Sequence, residues 1–249
     1  MTEFAHDNIK PFAGRGGKKE QVSEMFDCIA GKYDFMNRLL SAGVDRGWRK
    51  KAILEFKEDK PQHILDVATG TADMAIRAAK MLKPNKITGI DISPKMLEIG
   101  RKKVEEAALT STIQLLDGDS ETIKFADNTF DAVMVAFGVR NLENLQLGLK
   151  EILRVMKPGA KLVVLEFSKP KATGLRSLYY LYMGKIAPQI ARLFNQNKNA
   201  YEYLNESAKA FPDRQQFVDI LKGTGYSDTL FKSLTLGICC IYCGRKPQG

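Results

Sequence analysis

From residue 61 onward, short runs of apolar residues alternate with longer segments whose apolar positions recur at three- and four-residue steps. Short apolar runs are typical of buried strands, and three- and four-residue steps are typical of amphipathic helices. The pattern predicts strands at His63–Val67, Lys86–Ile90, Ile113–Leu116, Phe130–Val135 and Lys161–Phe167. It predicts helices between them at Thr71–Leu82, Pro94–Ala108 and Leu142–Met156. Strands that alternate with helices indicate an α/β fold with a mostly parallel, doubly wound sheet.

The two ends of the chain depart from this alternation. Residues 1–60 predict an N-terminal helical cap, and the aromatic, amphipathic stretch 170–208 predicts one helical insertion. The predicted elements outside the central pattern are helices over 19–30, Trp48–Phe56 and Arg214–Lys222, and strands at Ser227–Ser233 and Ile238–Tyr242. The last two strands predict a C-terminal antiparallel hairpin. No repeat or linker divides the chain, so residues 1–249 are expected to form a single domain.

Charge narrows the possible partners. The chain has 38 Lys+Arg against 29 Asp+Glu, a formal net charge of +9. Residues 140–200 contain 11 Lys and Arg against Glu143, Glu151 and Glu166, which leaves +8 in that stretch. A basic region of this kind favours nucleic acid or anionic lipid as a partner.

Residue usage excludes several classes of chemistry. The two histidines are too few for His-based zinc sites or for Ser-His and Cys-His catalysis. The four cysteines show no spacing typical of a disulfide framework, and no metal site is expected. The N-terminus lacks the apolar segment of a signal peptide, and no run of 18 uncharged apolar residues could span a bilayer. These features predict a cytoplasmic protein.

Acidic and small residues follow three successive predicted strands, at the end of the sheet where open α/β folds bind ligands. They are Asp66, Gly70 and Thr71 after the first strand, Asp91 after the second, and Asp119 and Ser120 after the third. An acid at position 91 could accept both hydroxyls of a ribose, and Asp119 could accept the amino group of adenine. Asp91 followed by Ser93 and Pro94 is also compatible with a simple helix cap. The occurrence of all three acids at neighbouring strand ends favours a nucleoside-containing ligand.

The turn after the first predicted strand does not have the features of a pyrophosphate site. It lacks G-x-G-x-x-G and G-x-x-x-x-G-K, and no basic residue accompanies it. Acids around the pocket instead suit a ligand with a cationic end. S-adenosylmethionine combines a sulfonium and an ammonium group with ribose and adenine, so we expect it as the cofactor.

Several stretches resemble known families. Asp66–Ala72, Asp91, Asp119 and Lys157–Gly159 resemble the motifs of Rossmann-like methyltransferases that use S-adenosylmethionine, with alanines at 68 and 72 in place of the usual glycines. Other stretches more specifically resemble the ubiquinone/menaquinone C-methyltransferase family. These stretches are Tyr33–Ser41 with Trp48, Phe137–Asn141, Arg154–Ser168 and Ala200–Ser207. The resemblance runs from about residue 18 to the C-terminus. Asp45 and Ala160 differ from the family, which often has His and Gly there.

The resemblance implies methyl transfer to a ring carbon of a prenylated quinol, most simply from demethylmenaquinol to menaquinol. That carbon is a poor nucleophile until a ring hydroxyl with a pKa of about 10 loses its proton. Arg140 matches a residue proposed as catalytic in the family. Since a guanidinium stays protonated, we expect Arg140, with Asn141, to stabilise the phenolate while water or Asp34 takes the proton. Tyr33, Asp34 and Asn37 are expected to close the substrate pocket from the helical cap.

Other functions remain open at this stage. The equivalent methylation in ubiquinone biosynthesis fits the same residues. A nucleic-acid methyltransferase would fit the basic stretch, but the Asn/Asp-Pro-Pro-Phe/Tyr motif and the Cys-Pro dipeptide of such enzymes are absent, so no nucleic-acid partner is expected. A non-catalytic protein that binds S-adenosylmethionine is a further alternative.

The stretch Leu178–Phe194 raises the question of how a lipid-tailed quinol is reached. Its apolar residues recur mostly at three- and four-residue steps, and Lys185 and Arg192 lie along one edge of that stripe. Such a stripe could pack on the core or on a second subunit in a homodimer. The surrounding basic excess favours a membrane-facing lid that makes peripheral contact with the inner leaflet.

Overall fold

The computed structural model describes residues 4–12, 16–41, 43–170 and 198–248. The amphipathic stretch Leu178–Phe194, with Lys185 and Arg192, therefore lies outside the described residues. Within the described ranges, no helix has the length and apolar character needed to cross a bilayer.

A seven-stranded sheet forms the centre of the molecule, in the order β3-β2-β1-β4-β5-β7-β6. The strands are β1 His63–Val67, β2 Lys86–Asp91, β3 Ile113–Asp117, β4 Phe130–Ala136, β5 Met156–Phe167, β6 Ser227–Leu234 and β7 Cys239–Arg245. Strands β1 to β5 run parallel to one another. Strand β7 runs antiparallel between β5 and β6. The predicted doubly wound sheet with a C-terminal antiparallel hairpin is confirmed.

Helices cover both faces of the sheet. They are α1 Lys18–Ile29, α2 Tyr33–Leu40, α3 Asp45–Leu54, α4 Asp73–Leu82, α5 Pro94–Glu106, α6 Leu145–Val155, α7 Lys198–Ala210 and α8 Gln215–Thr224. One apolar cluster joins α3, α4 and α5 to the sheet. A second cluster joins α6 and α8 to the opposite face. A third, smaller cluster packs α1 and α7 together with Met96 of α5.

Several element boundaries differ from the sequence prediction, and two of the differences have local causes. Helix α4 begins at Asp73, not at Thr71, because Ala68, Gly70 and Ala72 all have left-handed backbone angles that keep the loop after β1 non-helical. Helix α6 begins at Leu145, where the Asn144 side chain accepts a hydrogen bond from the Leu147 amide. Strand β5 starts at Met156 and not at Lys161.

Candidate active site

A cleft with a volume of about 630 Å³ opens at the carboxyl ends of β1, β2 and β4. Helix α1 closes one side of it. Of the residues expected to form the site, the cleft is lined by Tyr33, Gly70, Asp91, Asp119, Ser120 and Asn141. The side chains of Asp66, Thr71, Asp34 and Arg140 are engaged elsewhere and do not line this cleft.

Asp91 ends β2 and faces the cleft with a nearly buried carboxylate. Its Oδ2 accepts a hydrogen bond from the Gly70 amide at 2.8 Å, and its Oδ1 accepts one from the Ser93 amide at 2.9 Å. A carboxylate has about four acceptor positions, so these bonds orient the group and leave it able to accept a further donor from the cleft. Burial raises the pKa of Asp91 to about 6. Both roles raised by the sequence are compatible, since the carboxylate contacts the Ser93 amide and also faces the cleft.

Asp66 and Thr71 shape the loop after β1 without facing the cleft. The Oδ2 of Asp66 accepts a hydrogen bond from the Thr69 hydroxyl at 2.7 Å. Burial raises the pKa of Asp66 to about 7. The Thr71 hydroxyl donates to Asp34 at 2.7 Å, away from the cleft. These two side chains therefore support the Gly70 turn, which itself borders the cleft.

A lysine meets the acid expected at the adenine end. The Oδ2 of Asp119 accepts a hydrogen bond from the Nζ of Lys19 at 2.7 Å, and its Oδ1 accepts one from the Glu121 amide at 2.8 Å. Burial by itself lowers the pKa of Lys19, but the hydrogen bond to Asp119 raises it above the ordinary value. Sequence reasoning missed Lys19, because it lies 100 residues before its partner and its own helix contains no local sign of the contact.

Arg140 is buried beside the cleft, with 3% of its surface exposed. Its Nη1 donates to Glu166 Oε1 at 2.6 Å and to the Phe137 carbonyl at 2.9 Å, and the guanidinium lies 5.4 Å from the centre of the Phe167 ring. Burial raises the pKa of Glu166 above its ordinary value, and the opposing effect of the Arg140 guanidinium does not cancel this rise. Among the contacts of the described residues, Nη2 makes no hydrogen bond, so the guanidinium keeps a donor for a further acceptor.

Asn141 connects this ion pair to the cleft. Its Oδ1 accepts a hydrogen bond from the Tyr203 hydroxyl at 3.2 Å, and its Nδ2 donates to the Phe137 carbonyl at 3.3 Å. Burial raises the pKa of the Tyr203 phenol, so the hydroxyl remains a donor at neutral pH. Tyr203 belongs to the Ala200–Ser207 motif, but its contact with Asn141 was not predicted.

The three cap residues expected at the substrate are separated. Tyr33 lines the cleft, and its ring packs edge-on against Phe26 with centroids 5.6 Å apart. Asp34 accepts hydrogen bonds from Thr71 and, at 2.9 Å, from the Nζ of Lys103. Asn37 lies on α2, but its side chain belongs to the part of the chain that the structure leaves undescribed.

Apolar residues form much of the remaining wall of the cleft, together with the acids Glu121 and Glu143. The apolar residues include Val22 and Phe26 of α1, Ile92 and Met96 near the start of α5, and Leu142 after β4. The helical spacing of Val22 and Phe26 was visible in the sequence, but core and ligand-facing positions share that spacing. Only their position against the sheet shows that they face a cleft.

Comparison with known proteins shows which family this chain belongs to. A model of the ubiE/COQ5 methyltransferase family matches residues 15–246. The chain belongs to that family. The methyltransferase is 42% identical over 243 residues to a demethylmenaquinone methyltransferase of Bacteroides fragilis, which covers 98% of this chain and 99% of that protein. The family resemblance inferred from the motifs is confirmed.

Two further comparisons extend this result. The methyltransferase is 44% identical over 230 residues to the ubiquinone/menaquinone biosynthesis C-methyltransferase UbiE of Geotalea daltonii, covering 92% of this chain and 97% of that protein. Among solved structures, the [4+2]-cyclase SpnF superposes with a TM-score of 0.66 at 18% identity, over 95% of this chain and 98% of that one. At 18% identity, the similarity to SpnF concerns the fold alone.

S-adenosylmethionine is the cofactor of the methyltransferase, and the residues of the cleft fit it. The buried Asp91 carboxylate has free acceptor positions for ribose hydroxyls. The apolar side chains of Phe26, Ile92 and Met96 suit a planar base. The backbone at Gly118 has little space for a side chain, since a Cβ there would lie 3.1 Å from the Cβ of Ile90.

Proposed function

We propose that the methyltransferase transfers a methyl group from S-adenosylmethionine to a ring carbon of a prenylated quinol, converting demethylmenaquinol to menaquinol. The proposal is carried by the buried Arg140–Glu166 pair, which lies with Asn141 directly beside the cofactor cleft. The names of the two relatives support a quinol as the class of acceptor. The second candidate is the equivalent methylation in ubiquinone biosynthesis, since the name of the Geotalea daltonii relative covers both pathways.

In this proposal the cleft residues hold the cofactor. Asp91 accepts the ribose hydroxyls, Gly70 and Ser120 border the nucleoside through the loops after β1 and β3, and Asp119 lies at the adenine end with Lys19. Asp66 and Thr71 hold the first loop in place. When bound, the cofactor supplies an electrophilic methyl group on a sulfonium.

Arg140 stabilises the phenolate form of the acceptor. The guanidinium stays protonated and is held by Glu166, so it does not have to reorganise when negative charge develops on the ring oxygen. Its low exposure places that charge in a region of low dielectric, where the interaction is stronger than in water. Asn141, fixed by Tyr203, borders the cleft next to this cation, and Tyr33 closes the opposite side.

Water is the better candidate for the proton acceptor. The Asp34 carboxylate is engaged by Lys103 and Thr71 outside the cleft. A carboxylate engaged by these two donors, and absent from the lining of the cleft, is poorly placed to take the proton. The overall reaction releases one proton, which can pass to solvent through the open side of the cleft.

The charges near the cleft argue against a nucleic-acid substrate. The groove next to the adenine end contains two lysines against five acids, which are Glu20, Glu24, Asp27, Asp117 and Asp119. Phosphates would be repelled from this side. A lipid-tailed quinol is instead taken up at a membrane surface. In this proposal the methyltransferase is a cytoplasmic protein that makes peripheral contact with the membrane.

Labelled S-adenosylmethionine tests the function directly. We expect label to enter demethylmenaquinol and to enter the benzoquinol precursor of ubiquinone more slowly, in assays run side by side. Preferential labelling of the benzoquinol would make the second candidate the better one. Cofactor binding without label in either quinol, or label in RNA, would contradict the proposal.

A further inference from the structure

A second groove, outside the active site, lies between α2, α3 and α4, with a volume of about 810 Å³ that includes space open to solvent. Its basic residues are Arg38, Arg46, Arg49, Arg77 and Lys80. Two acids, Asp45 and Asp73, accompany them, so the lining has five positive and two negative charges. One of the acids, Asp73, is already paired with Lys103 of α5.

Three of these cations have no partner within the described part of the chain. Arg46 and Lys80 are exposed and make no described ion pair, and the Nε of Arg77 is buried without a hydrogen bond. Burying an unpaired guanidinium nitrogen is unfavourable, because it loses water without gaining a protein acceptor. The groove therefore has donors available for an anionic ligand.

Two exposed apolar side chains lie close in the chain to residues of this groove. Phe35 lies on α2 one turn before Arg38, and Val44 directly precedes α3. Each is 42% exposed. Cations next to exposed apolar side chains are typical of surfaces that bind the headgroup region of a bilayer. Nucleic-acid sites would instead extend the charge and pair it with stacking on several aromatic residues.

A different surface, next to the adenine end of the cofactor cleft, has the reverse charge. There the groove along α1 combines Lys19 and Lys95 with five acids. An anionic surface would attract the α2–α4 side and repel the α1 side, so the two grooves together give the molecule one preferred orientation. Scattered positive charge would not have this effect.

We propose that the α2–α4 groove docks the methyltransferase on anionic phospholipid headgroups. The proposal rests on the proposed function, which requires a quinol with a lipid tail to be reached at a bilayer. In the docked orientation the lipid phosphates contact Arg46, Arg77 and Lys80, and Phe35 and Val44 enter the headgroup layer. The α1 side then faces away from the membrane.

Vesicle flotation with a matched pair of charge reversals tests the surface. We expect the wild-type chain to float with phosphatidylglycerol vesicles at low salt, to release them at high salt, and not to float with phosphatidylcholine. Arg46→Glu with Lys80→Glu should weaken flotation at least about tenfold, since each basic residue contributes about 1 kcal/mol near an anionic surface. The control is Lys150→Glu with Lys222→Glu, which makes the same charge change on exposed residues of α6 and α8, on the other face of the sheet.

Each outcome has one meaning. Equal loss in both double variants would show a general effect of net charge, and unchanged flotation of the Arg46/Lys80 variant would place docking elsewhere; either result overturns the proposal. Tighter binding of a random RNA than of the vesicles, lost in the same variant, would assign the groove to nucleic acid. Turnover of a short-tailed quinol is measured separately, because its absence in the wild type would reject the proposed function without affecting the flotation result.

Discussion

At the level of single residues, the buried carboxylate of Asp91 determines how cofactor binding depends on pH. In the proposed site its ionised form accepts the ribose hydroxyls, and burial raises its pKa to about 6. We expect cofactor affinity to be constant above about pH 7 and to fall as the pH drops through 6, because protonation removes the charge. Asp91→Ala should weaken binding by about 1.5–3 kcal/mol and remove the pH dependence. Calorimetry between pH 5 and 8 measures both.

The control for Asp91 is the second buried acid. Asp66→Asn removes a carboxylate whose pKa lies at about 7 but which does not line the cleft, so the step in cofactor affinity near pH 6 should persist.

Without cofactor, the raised pKa of Asp91 makes the folded protein less stable as the pH rises. The folded state then binds more protons than the unfolded chain between about pH 4 and 6, so the free energy of unfolding falls as the pH rises through that range. Unchanged affinity in folded Asp91→Ala would remove its role.

Arg140 carries the prediction about catalysis. In Arg140→Lys we expect kcat to fall at least about 100-fold, because an ammonium cannot hold Glu166 and an oxyanion with the geometry of a planar fork. Cofactor affinity should stay nearly unchanged, since Arg140 does not line the cofactor cleft. Steady-state kinetics together with calorimetry separate the two effects. Thermal melts of Arg140→Lys and Glu166→Gln show whether the fold survives, and near-normal turnover in a folded variant would contradict the role.

At the level of elements, the start of α1 is tied to the loop after β4 by a buried lysine. The Nζ of Lys18 donates to the carbonyls of His6, Arg140 and Leu142, and only 1% of the residue is exposed. Burial lowers the pKa of Lys18 to about 8, so it is still mostly charged at pH 7. This contact holds α1 against the cofactor cleft.

Adjacent lysines allow a matched test of that contact. Lys18→Met should lower the free energy of unfolding by about 2–3 kcal/mol, because it leaves buried carbonyls without a donor. It should also weaken cofactor binding, although Lys18 does not line the cleft. Lys19→Met should cost less than about 1 kcal/mol, since its ion pair is partly exposed. Urea denaturation measures both, and equal destabilisation by the two variants would contradict the assignment.

Some element-level features could be predicted from sequence and others could not. The bounds of β1, His63–Val67, agree with the prediction, because Ile64, Leu65 and Val67 are apolar residues of the kind that fill a buried parallel strand. The start of α4 was predicted two residues too early. The apolar spacing of Thr71–Leu82 suits a helix, but the left-handed conformation of Ala72 prevents the helix from starting before Asp73. An alanine in the sequence gives no sign of that conformation.

At the level of the whole molecule, we predict that the helical cap and the sheet unfold as one unit. Trp48, the chain's one tryptophan, lies on α3. Its ring packs against Phe137 and Phe167, and its Nε1 donates to Thr235 at 2.7 Å. Tryptophan fluorescence should therefore report the same transition as far-UV circular dichroism, which follows the sheet and helices. Cofactor at about 100-fold excess over its Kd should raise the free energy of unfolding by about 2.7 kcal/mol, as measured by either probe.

Separate transitions would give a different organisation. An earlier fluorescence midpoint would show that residues 1–60 unfold independently, and the single-domain expectation would then be wrong. Loss of the cofactor shift in only one probe would indicate that the cap and sheet are not coupled through the cleft.

The sequence by itself determined the order of strands and helices, the hairpin at the end of the sheet and the acids at the strand ends. These features depend on local periodicity and on the rule that parallel strands place their carboxyl ends along one edge. Asp91 and Asp119 could be identified for this reason. Which partner each side chain takes was decided only by tertiary structure. Lys18 donates to Arg140 and Leu142, and Lys19 donates to Asp119, all 100 or more residues away. Arg140 meets Glu166 because β4 and β5 are neighbours in the sheet. Such contacts depend on distances in the folded chain, which local spacing does not encode.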